Sequence, residues 1–362
     1  MGVKGEGRAS ASVLILGIDG YIGWPLANHL ARLGYEIVGI DSYFRRQAAV
    51  SLIPLESTWD RQRKFQIHAG VLDEIKAIAK VDAIIHLAEQ PSAPWSMKNY
   101  AQAAITQRRN VLGTLNLLWM MKEFCPEAHL IKLGTMGEYG TPDCSIPEGF
   151  IEDGPMKGLP FPRQAGSFYH LSKVFDSQNI EFACRTWGLR STDIMQGIVF
   201  GVEDDTRFDY DECFGTVLNR FCAQAVAGIP LTIYGCGKQT RGFLPLRDSL
   251  ECLTLALQNP PLPGEYRVFN QFARVLTVDE VAEAVSIASV RFGIETEVQS
   301  IKNPRKEKED HIYFPKSDNL RKLGYNPKWS LTGEIANLLE KILPYRDLVK
   351  KEIILPKIRW CG

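Results

Sequence analysis

Residues 13–23 read Val-Leu-Ile-Leu-Gly-Ile-Asp-Gly-Tyr-Ile-Gly. The continuous apolar run Val13 to Leu16 suits a strand buried on both faces of a parallel sheet. The chain then turns through Gly17, Gly20 and Gly23. Leu26, Leu30 and Leu33 follow at helical spacing, and Gly34 stops the helix. Glu36 to Ile40 reads as a second strand that ends in Asp41. Strand, glycine turn, helix and strand make one βαβ unit. In that context Gly17 permits the tight turn, Gly20 lets a pyrophosphate approach the backbone, and Gly23 lets helix and strand pack closely. The helix N-terminus faces the phosphate charge. Tyr21 and Ile22 belong to the same turn and join the expected cofactor contacts.

A carboxylate at Asp41 suits the ribose hydroxyls of an adenosine and repels a 2′-phosphate, which favours NAD over NADP. Arg45 and Arg46 lie nearby and are also candidate cofactor contacts, because arginines hold phosphate. Val81 to Leu87 reads as another buried strand, with His86 and Leu87 at its end beside the expected cofactor. A helix is expected around Val111 to Lys122, then a strand from His129 to Leu133. A long helix running to Thr186 and a strand from Leu189 to Met195 follow.

Strands alternate with helices through about residue 200, which predicts an α/β fold with a Rossmann-type, doubly wound parallel sheet. The expected division is an NAD-binding domain over 1–200 and a smaller C-terminal α/β domain over 201–362. The second domain is expected to close over the carboxyl ends of the sheet's strands, and some of its segments are free to return to the first. Residues 200–212 read as an acidic, turn-like stretch. Phe214 to Ala227 reads as a helix, Leu231 to Tyr234 as a strand, and Lys302 to Asp310 as a solvated loop.

The chain has 362 residues, 45% of them hydrophobic, with 42 Lys plus Arg against 42 Asp plus Glu. Balanced charge supplies no long-range attraction for nucleic acid or an anionic membrane. No apolar run approaches a membrane span. Six histidines and eight dispersed cysteines without a CxxC pair predict no metal site. The cysteines read as buried thiols in a reducing compartment, and a cytoplasmic enzyme is the expectation.

The chemistry concentrates in Ser-Phe-Tyr-His-Leu-Ser-Lys, residues 167–173. Tyr169 and Lys173 are about one helical turn apart and share a face. An ammonium beside a phenol stabilises the phenolate, which makes tyrosine usable as a base near neutral pH. Thr135 follows a strand end, where its hydroxyl can bond the same substrate oxygen.

Together the glycine spacing, Thr135 and the Tyr169/Lys173 pair resemble the extended short-chain dehydrogenase/reductase family. The likeness is closest to its UDP-sulfoquinovose synthase branch over roughly residues 12 to 345. It is carried by residues 17–24, 89–97, 132–142, 168–174, 214–222 and 237–244. The most specific of these is Lys-Leu-Gly-Thr-Met-Gly-Glu-Tyr-Gly-Thr-Pro, residues 132–142.

The resemblance implies NAD-linked oxidation of UDP-glucose at C4, elimination of water across C5 and C6, sulfite addition at C6, and reduction at C4. Tyr169 would take the 4-hydroxyl proton. Lys173 would lower the tyrosine pKa and hold the nicotinamide ribose. Glu138 would serve as the C5 base, and His170 would assist the leaving group or sulfite. The Asp-Glu pair that sugar 4,6-dehydratases place after the threonine is replaced here by Met136 and Gly137, and Met136 joins the expected substrate contacts. Arg241 matches the family's phosphate-side arginine. Arg247, Asn219, Gln239 and Gln196 complete the expected substrate set, and a homodimer is implied.

Several positions depart from that branch. Pro91 stands where arginine is expected, and Arg108 where histidine is expected. The Gly70-Val71-Leu72-Asp73 turn lacks an acidic residue directly after the glycine. The 201–208 loop reads as shortened, as does a helical stretch near Glu74 to Ala79. These departures touch anion recognition more than C4 oxidation. They leave a nucleotide-sugar 4-epimerase or a 5,6-dehydratase without sulfonation as the alternative.

Overall fold

The computed structural model describes residues 11–140, 145–146, 148, 164–203, 206–305 and 314–360. Thr141 and Pro142 of the most specific motif, Asp204 and Asp205 of the shortened loop, and most of the 302–310 stretch lie outside the described residues.

Seven strands form one wholly parallel sheet: β1 Ser12–Leu16, β2 Glu36–Asp41, β3 Gln66–Ala69, β4 Ala83–His86, β5 His129–Thr135, β6 Arg190–Gln196 and β7 Tyr266–Gln271. Their spatial order is β7-β6-β5-β4-β1-β2-β3. That is the doubly wound order, reversing direction between β1 and β4, with one further strand beyond β6. Ligands in such sheets bind at this reversal, outside the carboxyl ends of the strands.

Alternation along β1 explains the two layers. Val13 and Ile15 face a cluster with Leu26 and Leu30 of helix Gly23–Arg32 and Leu250 and Leu253 of helix Leu246–Gln258. Leu14 and Leu16 face the opposite cluster with Leu117, Leu118 and Met121 of helix Gly113–Phe124 and Ile180 and Ala183 of helix Phe168–Trp187. A third core unites Phe221, Ile233, Phe243, Val285 and Leu339 in the C-terminal part.

The structure extends or corrects several sequence expectations. The helix expected at 111–122 belongs to a longer helical stretch, Tyr100–Gln107, a π-helical turn Arg108–Leu112, and Gly113–Phe124. Leu33 caps its helix and is exposed, so it adds nothing to the core face. No helix occupies 74–79; a turn at Val71–Glu74 leads into an open segment. Helix Leu246–Gln258 and β7 return to the main sheet from the C-terminal half. Cys236 is exposed and Cys213 half-buried, whereas Cys125, Cys184, Cys222 and Cys252 are buried as expected. Among the described residues no helix is long and apolar enough to cross a membrane, and no His/Cys/Asp/Glu cluster is arranged to hold a metal.

Candidate active site

A cavity runs along the carboxyl ends of the strands, from the glycine turn after β1 to the Thr240–Pro245 strand. At its first end Gly17 has φ +81°, and its N–H donates to the Ile40 carbonyl at 2.8 Å. A Cβ on Gly17 would lie 2.6 Å from the Leu87 carbonyl oxygen, and one on Gly23 would lie 2.2 Å from that of Gly17. Gly20 is different: its Cβ would meet only the Gly17 oxygen, at 3.1 Å. The chain's own packing therefore demands glycine at 17 and 23, while at 20 it leaves room in front of the backbone. That space, beside a helix N-terminus, fits a dinucleotide pyrophosphate. Ile22 and Leu87 line the same end.

Asp41 ends β2 with both carboxylate oxygens in use. Oδ2 accepts the Asp19 N–H at 2.8 Å, and Oδ1 accepts the Tyr43 N–H at 2.7 Å. Tyr43 adopts φ +54°, a left-handed turn conformation uncommon for a non-glycine residue. Each Asp41 oxygen keeps a second lone pair for a ribose hydroxyl. Burial raises its pKa to about 6, against the two backbone hydrogen bonds.

The neighbouring arginines are engaged elsewhere. Arg46 grips Asp19 through Nε at 2.6 Å and Nη2 at 2.8 Å, and it does not line the cavity. Arg45 does line it, but pairs with Asp209 at 2.7 Å and lies 4.5 Å over the Phe214 ring. Tyr21 donates its hydroxyl to the Gly201 carbonyl at 2.6 Å, tying the glycine turn to the start of the C-terminal half.

The reacting end is built on helix Phe168–Trp187. Ser167 caps that helix, its hydroxyl accepting the His170 N–H at 3.2 Å. The helix carries Tyr169 and Lys173 over the end of β5, with Lys173 Nζ 6.0 Å from the Tyr169 ring centre. Lys173 Nζ donates to the Leu133 carbonyl at 2.6 Å and pairs with Glu89, a buried carboxylate on the cavity wall. Burial pulls the Lys173 ammonium down to about 8, with Asp176 and Asp193 opposing the shift. The Thr135 side chain opposes the upward shift of the Tyr169 phenol, as a hydrogen-bonding neighbour does. That phenol is pushed upward by burial first and, where Glu138 is ionised, by the Glu138 charge second. The His170 ring lies 5.0 Å from that of Tyr169, and its Nδ1 is 3.0 Å from Ser167 Oγ. A Cβ on Gly137 would sit 2.3 Å from the imidazole, so glycine there leaves space for the ring.

Glu138 does not line the cavity. It is the third residue of a capping box whose N-cap is Thr135, and its Oε1 accepts the Thr135 N–H at 3.1 Å. The carboxylate points toward Lys132 and Ser177 behind the site, at 3.2 and 2.8 Å. Met136 packs in a small apolar cluster with Met195 and Phe272, also outside the lining.

At the far end Gln196, Asn219, Gln239 and Arg241 all reach the cavity, whereas Arg247 does not. Arg247 is about half exposed and pairs with Glu334 at 2.7 Å. Asn219 braces the fold by accepting the Gly201 N–H at 3.0 Å. Gln196 Nε2 donates to Ser249 at 3.0 Å. Gln239 Nε2 donates to the Tyr234 carbonyl at 3.0 Å, leaving its buried Oε1 without a partner among the described residues. Arg241 Nη1 donates to the Thr240 carbonyl at 2.8 Å.

Sequence reading passed over Glu89, Arg109 and Arg220, all of which line the cavity. Arg220 lies 4.8 Å over the Tyr234 ring and bonds the Tyr234 hydroxyl, and its buried Nε has no partner among the described residues. Glu89 and Arg220 fall within stretches 89–97 and 214–222, where motif position was the available signal. Of the two departures nearest the site, Pro91 lines the cavity without charge. Arg108 points outward to Asp73 at 2.5 Å and Glu74 at 2.9 Å.

A model of the NAD dependent epimerase/dehydratase family matches residues 13–270. A chloroplastic UDP-sulfoquinovose synthase from Spinacia oleracea is 43% identical, the alignment covering 99% of this chain and 80% of that protein. A UDP-sulfoquinovose synthase from Sulfolobus acidocaldarius is 42% identical, covering 96% of this chain and 97% of that protein. Among solved structures, a UDP-glucose 4-epimerase from Thermotoga maritima with UDP-glucose superposes with a TM-score of 0.71 at 21% identity. It covers 93% of this chain and all of that chain, a likeness of fold.

Proposed function

The chain belongs to the NAD dependent epimerase/dehydratase family as an NAD-dependent nucleotide-sugar enzyme, and from that premise we propose that it converts UDP-glucose and sulfite to UDP-sulfoquinovose. The observation that carries the reading is the placement of Thr135, Tyr169 and Lys173 in one cavity. The glycine turn and Asp41 stand at one end of it, and Gln239 and Arg241 at the other. When bound, NAD supplies a reversible oxidant for the sugar C4.

Tyr169 takes the 4-hydroxyl proton while Thr135 holds the same oxygen, and the cationic Lys173 favours the phenolate. The 4-ketone acidifies C5–H. Loss of that proton and of the 6-hydroxyl gives a 5,6-alkene conjugated to the ketone. His170, on the wall beside Tyr169, handles protons in this step. The sulfur lone pair of sulfite then forms the C6–S bond, C5 regains a proton, and C4 is reduced again as its hydride returns and Tyr169 gives the proton back to the 4-oxygen. Arg220, Gln239 and Arg241 hold the nucleotide end, where a guanidinium suits diphosphate oxygens.

Purified protein incubated with NAD and UDP-glucose, with and without sulfite, tests this by mass analysis. A sulfonated product that requires sulfite is expected. An isomer or a dehydrated product alone supports the second reading, a 4-epimerase or 5,6-dehydratase. The uncharged Pro91 favours that reading, because position 91 offers no cation to an anion in the cavity.

We also propose a homodimer. Leu112, Leu115 and Trp119 form an exposed stripe beside exposed Phe168, Phe175 and Phe182 on the adjoining helix. Apolar side chains grouped in this way suit a second copy of the same face. Trp119→Asp is expected to shift the mass in solution from dimer to monomer. A monomeric parent protein excludes this pairing.

A further inference from the structure

Behind the Tyr169 site lies a set of buried ionisable groups, of which the chemistry above uses only Lys173. Lys132 on β5 and Asp193 on β6 are register neighbours, both with side chains 0% exposed. Helix Phe168–Trp187 lays Lys173, Asp176 and Ser177 over them. Glu138 approaches from the turn after β5, and Tyr266 from β7.

Ser177 Oγ sits at the centre. It lies 2.8 Å from Glu138 Oε2, 2.6 Å from Asp193 Oδ2 and 2.9 Å from Lys132 Nζ. The ammonium can only donate, so it uses one lone pair of the serine oxygen. The serine hydroxyl has one hydrogen, yet two carboxyl oxygens stand at hydrogen-bond distance from it. That hydrogen makes one well-aligned bond, and a proton on one of the two carboxyls supplies the other contact with a hydrogen of its own. Asp193 Oδ2 also accepts the Tyr266 hydroxyl at 2.7 Å and lies 3.5 Å from the Lys132 ammonium, so donors already surround it and it has no place for a proton of its own. Among the described residues Glu138 Oε2 has the serine as its one partner, while Oε1 accepts from Thr135 N and Lys132.

We propose that Glu138 is a neutral carboxylic acid in the resting protein, donating from Oε2 to Ser177, which in turn donates to Asp193. The chain Glu138–Ser177–Asp193–Tyr266 then has a hydrogen for every contact. Burial, with the charge of Asp193 adding to it, favours the acid form of Glu138, while Lys132 opposes it.

Glu138 is thus a positioning residue rather than the group that meets substrate. It fixes the Thr135 turn through the capping box, and its neutrality spares the neighbouring Tyr169 a negative charge that would oppose phenolate formation. Ionisation of Glu138 at rising pH places that charge beside Tyr169, and the groups that face it are Lys132, Lys173, Asp176, Asp193, Tyr169 and Tyr266. The catalytic consequence rests on Tyr169 as the base; the bound proton does not.

Glu138→Gln keeps the hydrogen pattern, since its carbonyl accepts where Oε1 did and its amide donates to Ser177. Infrared spectra of the full-length protein near neutral pH are expected to show an acid C=O stretch that moves in D2O and is missing from Glu138→Gln. In Ser177→Ala the band is expected at a shifted frequency. Absence of any Glu138-dependent acid band overturns the inference, whatever the enzyme's substrate proves to be. In turnover, Glu138→Gln is expected to stay within about tenfold of the parent. Its alkaline decline is expected to move up, toward the loss of charge on Lys173. A variant that folds, binds NAD and is inert would instead place Glu138 in proton transfer with substrate, and would equally overturn it.

Discussion

The α-carbon of Gly23 faces the carbonyl oxygen of Gly17 so closely that a methyl group there would lie 2.2 Å from it. The same methyl on Gly20 would meet that oxygen at 3.1 Å and otherwise point into the cavity. Two alanine substitutions three residues apart should therefore fail in different ways. Gly23→Ala is expected to destabilise the fold by about 1–3 kcal/mol, the usual cost of overpacking, and to lower the melting temperature. Gly20→Ala is expected to melt close to the parent and to bind NAD at least about tenfold more weakly, because the methyl fills the space for the pyrophosphate. Thermal melts and NAD titration of both variants separate the two effects.

The carboxyl of Asp41 makes cofactor binding depend on pH. Burial lifts it from 3.8 to about 6. The folded protein thus holds a proton that the unfolded chain releases between those two values. This group's contribution to stability falls as pH rises through that window and is level above about 6. NAD binding has the opposite slope, since the ionised form accepts the ribose hydroxyls. Affinity is expected to drop below about pH 6 in the parent and to be lower but flat with pH in Asp41→Asn, as read by calorimetry.

Two arginines expected at the nucleotide end are separated by the structure. Arg241 reaches the cavity, whereas Arg247 is held by Glu334 outside it. Arg241→Ala is expected to raise KM for the nucleotide sugar by about ten- to a hundredfold, the worth of a hydrogen bond to a charged group. Arg247→Ala, which breaks a half-exposed ion pair, is expected to change KM by less than about threefold. Steady-state kinetics on the two variants reads the contrast.

How much of this was legible in the sequence follows from which forces leave a pattern in it. β1, β4, β5 and the glycine turn were readable because buried parallel strands appear as apolar runs and because a positive φ at Gly17 requires glycine. β3 was missed: Gln66, His68 and Ala69 are exposed on this edge strand, so its composition carries little signal. β7 was missed for a different reason. It lies some 70 residues beyond β6 in the chain, and only tertiary pairing brings it to the sheet. In the site, Tyr169, Lys173 and Thr135 were found because their spacing follows from one helix and one strand end. The directions of Glu138, Arg46 and Arg247 were not readable. Each is set by a partner distant in the chain, Ser177, Asp19 and Glu334 respectively, and residue type alone cannot distinguish a paired charge from a free one.

The central claim is that Tyr169 removes the proton from the sugar 4-hydroxyl. The most direct measurement compares the parent with Tyr169→Phe on UDP-glucose at matched NAD occupancy, following loss of substrate by mass analysis. Phe keeps the ring and removes only the hydroxyl, so NAD should still bind, while turnover is expected to fall by about 10²–10⁴-fold. Conversion of UDP-glucose by Tyr169→Phe at the parent's rate would contradict the account.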